Sequence, residues 1–276
     1  MKDHEQIYNC LLCGGKFSPS FRVVFGDTPL ANELSEYGDY LKEDLFRLVL
    51  VQCEECNHIQ LDEIIDGSRL FRDYLYVAGT SEVNRKHFQN YAESVSKEYL
   101  KEGDLVIDIG SNDGLLLSYF KNLGMKILGV DPAKNIVKEA NKKDLRTIPE
   151  FFTYELAEKL ISNMSKSGTA VSFKLAKVIT CNNMFAHTKD LKDVVRGVLE
   201  LLDDNGVFIF ENSYLGDILD KSLYDTIYHE HCHTHAITPL IKFFRKFGMK
   251  IFDIEPLPNQ QGGSLRVFVC RNSNNR

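Results

Sequence analysis

Four cysteines near the amino terminus are spaced as metal ligands. They form two Cys-x-x-Cys pairs, Cys10 with Cys13 and Cys53 with Cys56. Glycines follow the first pair and Asn57 follows the second, and both residue types tolerate the left-handed backbone of a tight turn. Two such turns supply four thiolates, the closed tetrahedral set of structural zinc, and duplication of the pair disfavours a redox disulfide. We therefore predict one structural Zn²⁺ site.

The segment between the two cysteine pairs, residues 14–52, is 39 residues long. Zinc ribbons usually place about 15 to 20 residues there, so this segment should fold as a small excursion of its own. The remaining cysteines, Cys181, Cys232 and Cys270, stand singly and are expected to be small packing residues.

A glycine-rich turn is the second feature with chemical potential. Residues 105–109 (Leu-Val-Ile-Asp-Ile) are typical of a buried parallel strand, and residues 110–114 (Gly-Ser-Asn-Asp-Gly) of the turn into a helix. Asp131 ends the next predicted strand, 23 positions after Asp108. An acidic residue at about that spacing is well placed for ribose hydroxyls.

The turn is acidic, which disfavours a pyrophosphate and favours a cationic cofactor such as S-adenosylmethionine. Asp108 would face the methionine end and Asp131 the ribose diol, so this arrangement predicts a methyltransferase. The predicted cofactor-binding residues are Asp108, Gly110, Asn112, Gly114, Asp131 and Asn182. The alternative is a turn that serves strand–helix packing alone, which leaves the two aspartates unexplained.

The histidine-rich segment, residues 224–235, is the third feature. Four of the eight histidines lie there within seven residues, and they are His229, His231, His233 and His235. Because histidine titrates near neutral pH and a neighbouring carboxylate can orient it, acid–base chemistry is the favoured interpretation. Two alternatives stay open. One is loop histidines without a role. The other is a second metal site that uses His229, His231, His233, His235 or Cys232, since extended backbone would align the four histidines on one face.

The elements that must position these residues alternate between strand and helix from about residue 81. The predicted strands are 105–109, 126–130, 146–148, 177–181, 206–211, 250–255 and 265–269. The predicted helices are 81–101, 115–123, 133–142, 153–163, 189–202 and 237–247. This alternation predicts a doubly wound, Rossmann-like α/β sheet with an antiparallel last strand. We divide the chain into a zinc-binding domain, 1–78, and a cofactor domain, 79–276.

Composition narrows the class of protein. The 276 residues carry a formal charge of −6, which disfavours a nucleic-acid binder. Hydrophobic residues make up 43% and charged residues 26%, as in an ordinary globular chain. We expect no membrane span, because no apolar run approaches the roughly 18 to 20 residues that a span needs. The first residues lack the apolar stretch of a signal peptide, so a cytoplasmic location is expected.

Four sequence features occur in a familiar order. They are the two cysteine pairs enclosing residues 28–32 (Thr-Pro-Leu-Ala-Asn), then residues 108–114, residues 224–231 (Tyr-Asp-Thr-Ile-Tyr-His-Glu-His) and residues 261–266 (Gln-Gly-Gly-Ser-Leu-Arg). Together they resemble the zinc-containing nucleotide-sugar C-methyltransferases, the sugar C3-methyltransferase family of deoxysugar biosynthesis. The resemblance spans essentially the whole chain, and the Tyr-His-Glu-His box is its most specific element. It implies a class I methyltransferase sheet.

The resemblance also implies a substrate and a mechanism. The substrate would be a 4-keto-deoxysugar on a nucleoside diphosphate, whose ketone acidifies the neighbouring C–H. His231 would be the base, with Glu230 as its partner or as the alternative base. Tyr228 and Tyr76 would hold the keto oxygen or the sugar, although Tyr76 could equally be an interdomain packing residue. His187 is a further candidate that would face the site.

One departure from the family affects substrate binding. The family usually continues into a third, Rossmann-like domain, whereas this chain stops shortly after Arg266, at residue 276. The chain could be a fragment, a version with another acceptor, or half of an enzyme whose second chain supplies the missing domain. Two other functions stay open: methyl transfer to oxygen or nitrogen, and a non-catalytic zinc-dependent binding module.

Overall fold

The structure is a computed structural model, which describes residues 3–34, 43–166 and 175–276. The strands are β1 His4–Gln6, β2 Phe17–Thr28, β3 Phe46–Cys53, β4 Ile59–Leu61, β5 Glu63–Ile65, β6 Leu105–Ile109, β7 Lys126–Val130, β8 Thr147–Ile148, β9 Ala176–Asn182, β10 Leu202–Ser213, β11 His233–Thr234, β12 Met249–Leu257 and β13 Ser264–Arg271. The helices are α1 Gly67–Phe71, α2 Glu82–Tyr99, α3 Leu115–Asn122, α4 Lys134–Lys142, α5 Tyr154–Lys166, α6 Leu191–Leu201, α7 Leu215–Lys221 and α8 Ile237–Arg245. Two 3₁₀ turns span Ala78–Thr80 and Tyr224–Thr226.

A seven-stranded sheet forms the larger part of the molecule, in the order β12-β13-β10-β9-β6-β7-β8. Every residue of β6 is buried, as its apolar sequence requires of a strand covered on both faces. The pairs from β8 across to β10 are parallel, while β13 runs antiparallel between β10 and β12. The predicted Rossmann-like class I methyltransferase sheet is confirmed, and its antiparallel last strand lies inside the sheet rather than at its edge.

The order in which strands are added to the sheet reverses at β6. Strands β7 and β8 extend from one side of β6, and β9 returns to pair with its other side. In such sheets a crevice opens at the carboxyl ends of the strands where the order reverses, and ligands bind there. The turn at residues 110–114 and the residues that follow β9 both lie at this crevice. A Cβ atom added to Gly110 would come within 2.8 Å of the Met184 Cβ, so these two segments are in close contact.

A second, four-stranded sheet has the order β11-β4-β3-β2, and the excursion between the cysteine pairs supplies β2 and β3. Its strand β11 comes from the histidine-rich segment, because His233 pairs with Gln60 and Thr234 with Ile59. The sheet therefore combines residues from both sides of the division that we predict at residue 78. That division itself stays a prediction.

Helix α2 follows this division and packs on the large sheet. Its first turn is capped by Ser81, whose hydroxyl accepts a hydrogen bond from the Asn84 amide at 3.3 Å. Tyr91, Ala92 and Val95 form its buried face. Among the helices of the described residues, none is long and apolar enough to cross a membrane.

Candidate functional site: a cofactor crevice facing a buried histidine

The four cysteines of the two pairs converge on one point. Their sulfur atoms, those of Cys10, Cys13, Cys53 and Cys56, all lie within 4.8 Å of one another. Two of the separations are 3.4 Å, between Cys13 and Cys53, and 3.7 Å, between Cys10 and Cys56. Tetrahedral Zn–S bonds of about 2.3 Å place sulfur atoms roughly 3.8 Å apart, so the donor set fits a closed zinc site.

Both turns of the zinc site have the backbone that their residues predict. Gly14 and Asn57 have φ values of 86° and 62°, in the left-handed region. The Gly14 amide donates to the Cys10 carbonyl at 2.7 Å, and the Asn57 amide donates to the Cys53 carbonyl at 3.0 Å. These two hydrogen bonds close the turns. The zinc prediction is thus confirmed in its geometry.

The histidine-rich segment does not form a second metal site, contrary to one of the alternatives. Only its last part, β11, is extended, so the four histidines do not share one face. His229 Nε2 donates to the Phe46 carbonyl at 3.2 Å, and His233 Nε2 donates to the Thr188 carbonyl at 3.0 Å. Within the described ranges, the cysteine cluster is the one group of side chains close enough together to hold a metal ion.

Asp131 is held rigidly at the end of β7. Its Oδ2 accepts the Asn112 amide and its Oδ1 the Ala133 amide, both at 2.9 Å. Burial raises the pKa of this carboxyl, and the two amide hydrogen bonds oppose that rise. Each oxygen keeps a lone pair, so the carboxylate can still accept hydrogen bonds from a diol.

Asp108 is buried near the carboxyl end of β6, where its Oδ1 accepts the Thr180 hydroxyl at 2.6 Å. Burial raises the pKa of Asp108 to about 7; the Thr180 hydrogen bond lowers it, while the charges of Asp131 and Glu211 raise it further. A buried carboxyl of this kind is stabilised as an anion when a cation binds beside it.

The turn after β6 brings its backbone close to the crevice. Gly110 and Gly114 have φ values of 75° and 77°, which other residues rarely adopt. The Asn112 side chain accepts the Ala78 amide and donates to the Tyr76 carbonyl, each at 2.9 Å. It therefore ties residues 76–78 to the turn. The side-chain amide atoms of Asn182, at the end of β9, are buried beside the Tyr91 hydroxyl.

His231 presents one ring nitrogen to the crevice. Its Nδ1 donates to the Thr226 carbonyl at 2.6 Å, which leaves Nε2 as the basic nitrogen of the neutral ring. The Tyr228 hydroxyl lies 3.4 Å from this Nε2. Burial lowers the pKa of His231, although the Thr226 carbonyl opposes this. The ring is thus neutral at pH 7 and available as a base.

Glu230 accepts hydrogen bonds from residues other than His231. One of its carboxylate oxygens accepts the Asn32 side-chain amide, and the other accepts the Tyr74 hydroxyl at 2.9 Å. The same carboxylate lies 3.8 Å from Nδ1 of His187, whose ring packs edge-on against His231 with centroids 4.8 Å apart. Burial raises the pKa of Glu230, and the two hydrogen bonds lower it. Glu230 therefore connects three parts of the chain.

The two predicted tyrosines occupy different environments. Tyr228 is largely buried, and burial together with the Glu230 charge raises the pKa of its hydroxyl, which stays protonated. Tyr76 is 49% exposed, and its hydroxyl accepts a hydrogen bond from the side-chain amide of Asn84 at 2.6 Å. Both line the same cavity.

One cavity of about 1050 Å³ joins these groups. Its lining includes the predicted residues Tyr76, Asp108, Gly110, Asn112, Asp131, Asn182, Tyr228 and His231. The predicted residues Gly114 and Glu230 lie behind the lining. Single-ligand pockets span about 300 to 1,000 Å³, so this cavity has room for a cofactor beside an acceptor.

Sequence reasoning missed several residues that shape this site. Glu211 is buried at the end of β10, where His87 Nε2 donates to it at 2.8 Å and the Arg266 guanidinium pairs with it at 2.6 Å. Asn32 and Arg266 belong to two of the motifs that carry the family resemblance, but the sequence alone indicates no role for either residue. Tyr74 stands two residues before the predicted Tyr76, and its partner Glu230 is 156 positions away, so no local pattern indicates the contact.

Comparison with known proteins agrees with this arrangement. Residues 82–254 match a methyltransferase domain family, and residues 10–71 match a zinc binding domain family. The C-methyltransferase NovU of Streptomyces niveus is 35% identical over 250 residues. The match covers 90% of this chain and 57% of NovU, so the chain spans little more than half of that relative.

Solved methyltransferases share the fold. The magnesium protoporphyrin IX methyltransferase ChlM of Synechocystis PCC 6803, with bound SAH, superposes with a TM-score of 0.50 at 16% identity, over 69% of this chain and 88% of ChlM. A S-adenosylmethionine-dependent methyltransferase from Clostridium acetobutylicum ATCC 824 gives 0.51 at 16% identity, over 69% and 93%. The chain belongs to the methyltransferase domain family and carries a zinc binding domain ahead of that domain.

Proposed function

We propose that this chain is a S-adenosylmethionine-dependent C-methyltransferase that acts on a nucleotide-linked keto-deoxysugar. The observation that carries the proposal is His231, whose Nδ1 is fixed on a carbonyl while Nε2, 3.4 Å from the Tyr228 hydroxyl, is the basic nitrogen beside the cofactor crevice. The similarity to the C-methyltransferase NovU supports transfer to carbon. A neutral histidine base is needed for a C–H acid, whereas an amine acceptor does not require one.

The crevice suits the cofactor in its charges and in its shape. S-adenosylmethionine, when bound, would supply the methyl group as part of a sulfonium cation. Asp108 would stabilise the positive methionine end, and Asp131 would accept hydrogen bonds from the ribose hydroxyls. Gly110 would allow close approach to the backbone, and the Asn182 side chain lines the same cavity.

The residues across the cavity would carry out the proton transfer. Nε2 of His231 would take the proton next to the ketone, while the protonated Tyr228 hydroxyl would donate to the developing enolate oxygen. His231 and Tyr228 would thereby hold an enolate whose carbon could accept the methyl group; the bound cofactor would supply that methyl, and the electron pair of its C–S bond would stay on sulfur. We assign Glu230 as an anchor rather than the base, because both its oxygens are already engaged and it lies behind the cavity lining.

The nucleotide part of the substrate finds little positive charge in this cavity. Among the described lining residues, Lys189 is the one lysine or arginine, and its ammonium group already pairs with Glu5. A nucleoside diphosphate needs such charges, so we propose that a further chain or segment holds it.

Deuterium exchange next to the ketone tests the proposed function most directly. The chain is incubated in D₂O with a 4-keto-deoxysugar nucleotide and without cofactor, and the sugar is analysed by mass spectrometry. We expect one deuteron at the carbon next to the ketone, and methyl transfer to that carbon when the cofactor is added. The matching sugar nucleotide with a hydroxyl in place of the ketone is the control. Methylation on oxygen without any exchange would refute C-methylation.

Cofactor binding should release a proton near neutral pH. Because the raised pKa of Asp108 is about 7, this group is largely protonated at pH 6 and must ionise to face the cationic cofactor. The affinity for S-adenosylmethionine should therefore rise up to tenfold per pH unit towards pH 7 and then level off. Calorimetry at pH 6, in buffers with different ionisation enthalpies, measures the released proton. Asp108→Asn should remove it, and a wild-type affinity that is constant between pH 5.5 and 7.5 would contradict the assignment.

A further inference from the structure

The histidine-rich segment is anchored on the zinc-bearing part of the molecule. His229 donates to the Phe46 carbonyl of β3, and Glu230 accepts from Asn32. The Leu61 amide of β4 donates to the Cys232 carbonyl at 3.0 Å, and the β4–β11 pairing continues this contact. The same segment is also held by the residues after β9, because the His233 amide donates to the Ala186 carbonyl at 3.2 Å and His233 Nε2 donates to the Thr188 carbonyl. The position of His231 thus depends in part on the zinc-bearing part.

His58 joins the zinc site to this segment by a side-chain contact. It follows Cys56 by two residues, and its carbonyl accepts the Cys53 amide at 2.9 Å, so its backbone closes the second cysteine turn. Its Nε2 lies 2.9 Å from Nδ1 of His233. His233 is two residues after His231 and donates from Nε2 to the Thr188 carbonyl.

These contacts form a directed chain of hydrogen bonds. A carbonyl can only accept, so His233 donates through Nε2, and in the neutral ring its Nδ1 must accept from Nε2–H of His58. Both rings are fully buried, with exposures of 0% and 2%. Loss of the His58 donor would leave a buried acceptor on His233 without a partner, which is costly in the interior. The chain of hydrogen bonds ends at the Thr188 carbonyl, next to His187, and it passes through His233, two residues after His231.

We propose that His58 is a positioning residue through which the cysteine cluster fixes His231 in its working orientation. This proposal rests on the proposed function for its effect on turnover, and on geometry alone for its effect on the His231 ring. The zinc site, which has no open coordination position, would thereby contribute to proton abstraction without touching the substrate.

The test compares His58→Leu with His58→Gln. Leucine removes the donor and keeps the bulk, whereas the glutamine amide nitrogen reaches about as far from Cβ as Nε2 of histidine and should restore the bond. Zinc content and affinity for S-adenosylhomocysteine are measured first, and both should match the wild type in both variants. The ring nitrogens of His231 are then followed by long-range ¹H–¹⁵N NMR, assigned with His231→Asn.

We expect the wild type and His58→Gln to show a single Nδ1–H form of His231, and His58→Leu to show an averaged mixture of the two neutral forms. In the exchange assay, kcat of His58→Leu should fall about 10- to 100-fold with KM within threefold, and His58→Gln should stay within threefold of the wild type. An unchanged His231 spectrum in zinc-loaded His58→Leu overturns the proposal, and so does a parallel loss of zinc in both variants. If the wild type exchanges no keto-sugar proton but the spectra differ as expected, the proposed function fails and the positioning role stands.

Discussion

Replacement of His231 by asparagine should abolish proton exchange and methyl transfer while leaving the cofactor site intact. The asparagine amide can still donate to the Thr226 carbonyl, which accepts Nδ1–H of the wild-type ring at 2.6 Å. It has no basic nitrogen at the position of Nε2. General-base groups contribute about 10²- to 10⁴-fold to rate, so we expect a loss of that size in kcat for exchange. Affinity for S-adenosylhomocysteine should stay within twofold of the wild type.

Asp131→Ala is the matched variant on the other side of the cavity. It removes the acceptor for the ribose diol and should weaken cofactor binding, while exchange measured without cofactor continues at the wild-type rate. The two variants therefore separate the two halves of the reaction. Wild-type exchange by His231→Asn would remove His231 from the role of base, and Glu230 would then have to be tested in its place.

Removal of the metal should unfold the zinc-bearing part and leave the large sheet folded. The apolar core of the small sheet is limited, and its buried members are Ile7, Leu48, Leu50, Ile59, Leu61, Ile64 and Cys232. Structural zinc sites contribute apparent free energies of about 10 to 16 kcal/mol, more than such a core can replace. Chelation, or Cys53→Ser, should therefore remove hydrogen-exchange protection from β2, β3, β4 and residues 228–235, while β6 and β9 stay protected.

Cys270→Ser is the control for this experiment. Its thiol is also buried, but it belongs to β13 of the large sheet and is not part of the cysteine cluster. This variant should retain one zinc per chain and full protection of the small sheet. Protection that survives chelation throughout β2, β3 and β4, or that disappears equally from both sheets, would contradict the assigned role of the cluster.

The large sheet could be predicted because its signals are local. The five residues of β6 form an uninterrupted apolar run, and the helices between the strands show their own periodicity, so element type follows from short windows. The zinc ligands could be predicted for the same reason, since each pair and its turn residues lie within a few positions. The predicted and observed strand bounds differ most at β10, which the sequence predicts over residues 206–211. The strand extends from Leu202 to Ser213 because it includes the polar residues before Gly206.

The candidate site was predicted in part, and the missing part has a physical cause. His231 and Tyr228 stand in a recognisable box, but the box does not reveal that Glu230 points to Asn32 and Tyr74. A two-residue strand such as β11 has no periodicity, and its partner β4 ends 172 positions before it begins. The alternative of four aligned histidines was wrong because this short strand begins only at His233.

The pairing of β11 with β4 also determines the order in which the molecule can assemble. The hydrogen bond between His58 and His233 closes a loop of 175 positions, and that between Asn32 and Glu230 a loop of 198. The contacts among β6, β7 and β9 close much shorter loops, so their entropic cost is lower and they can form first. During synthesis the small sheet must wait for its fourth strand until residue 234 has left the ribosome. The chain can thus build its cofactor crevice early, whereas His231 takes its place only when β11 pairs with β4.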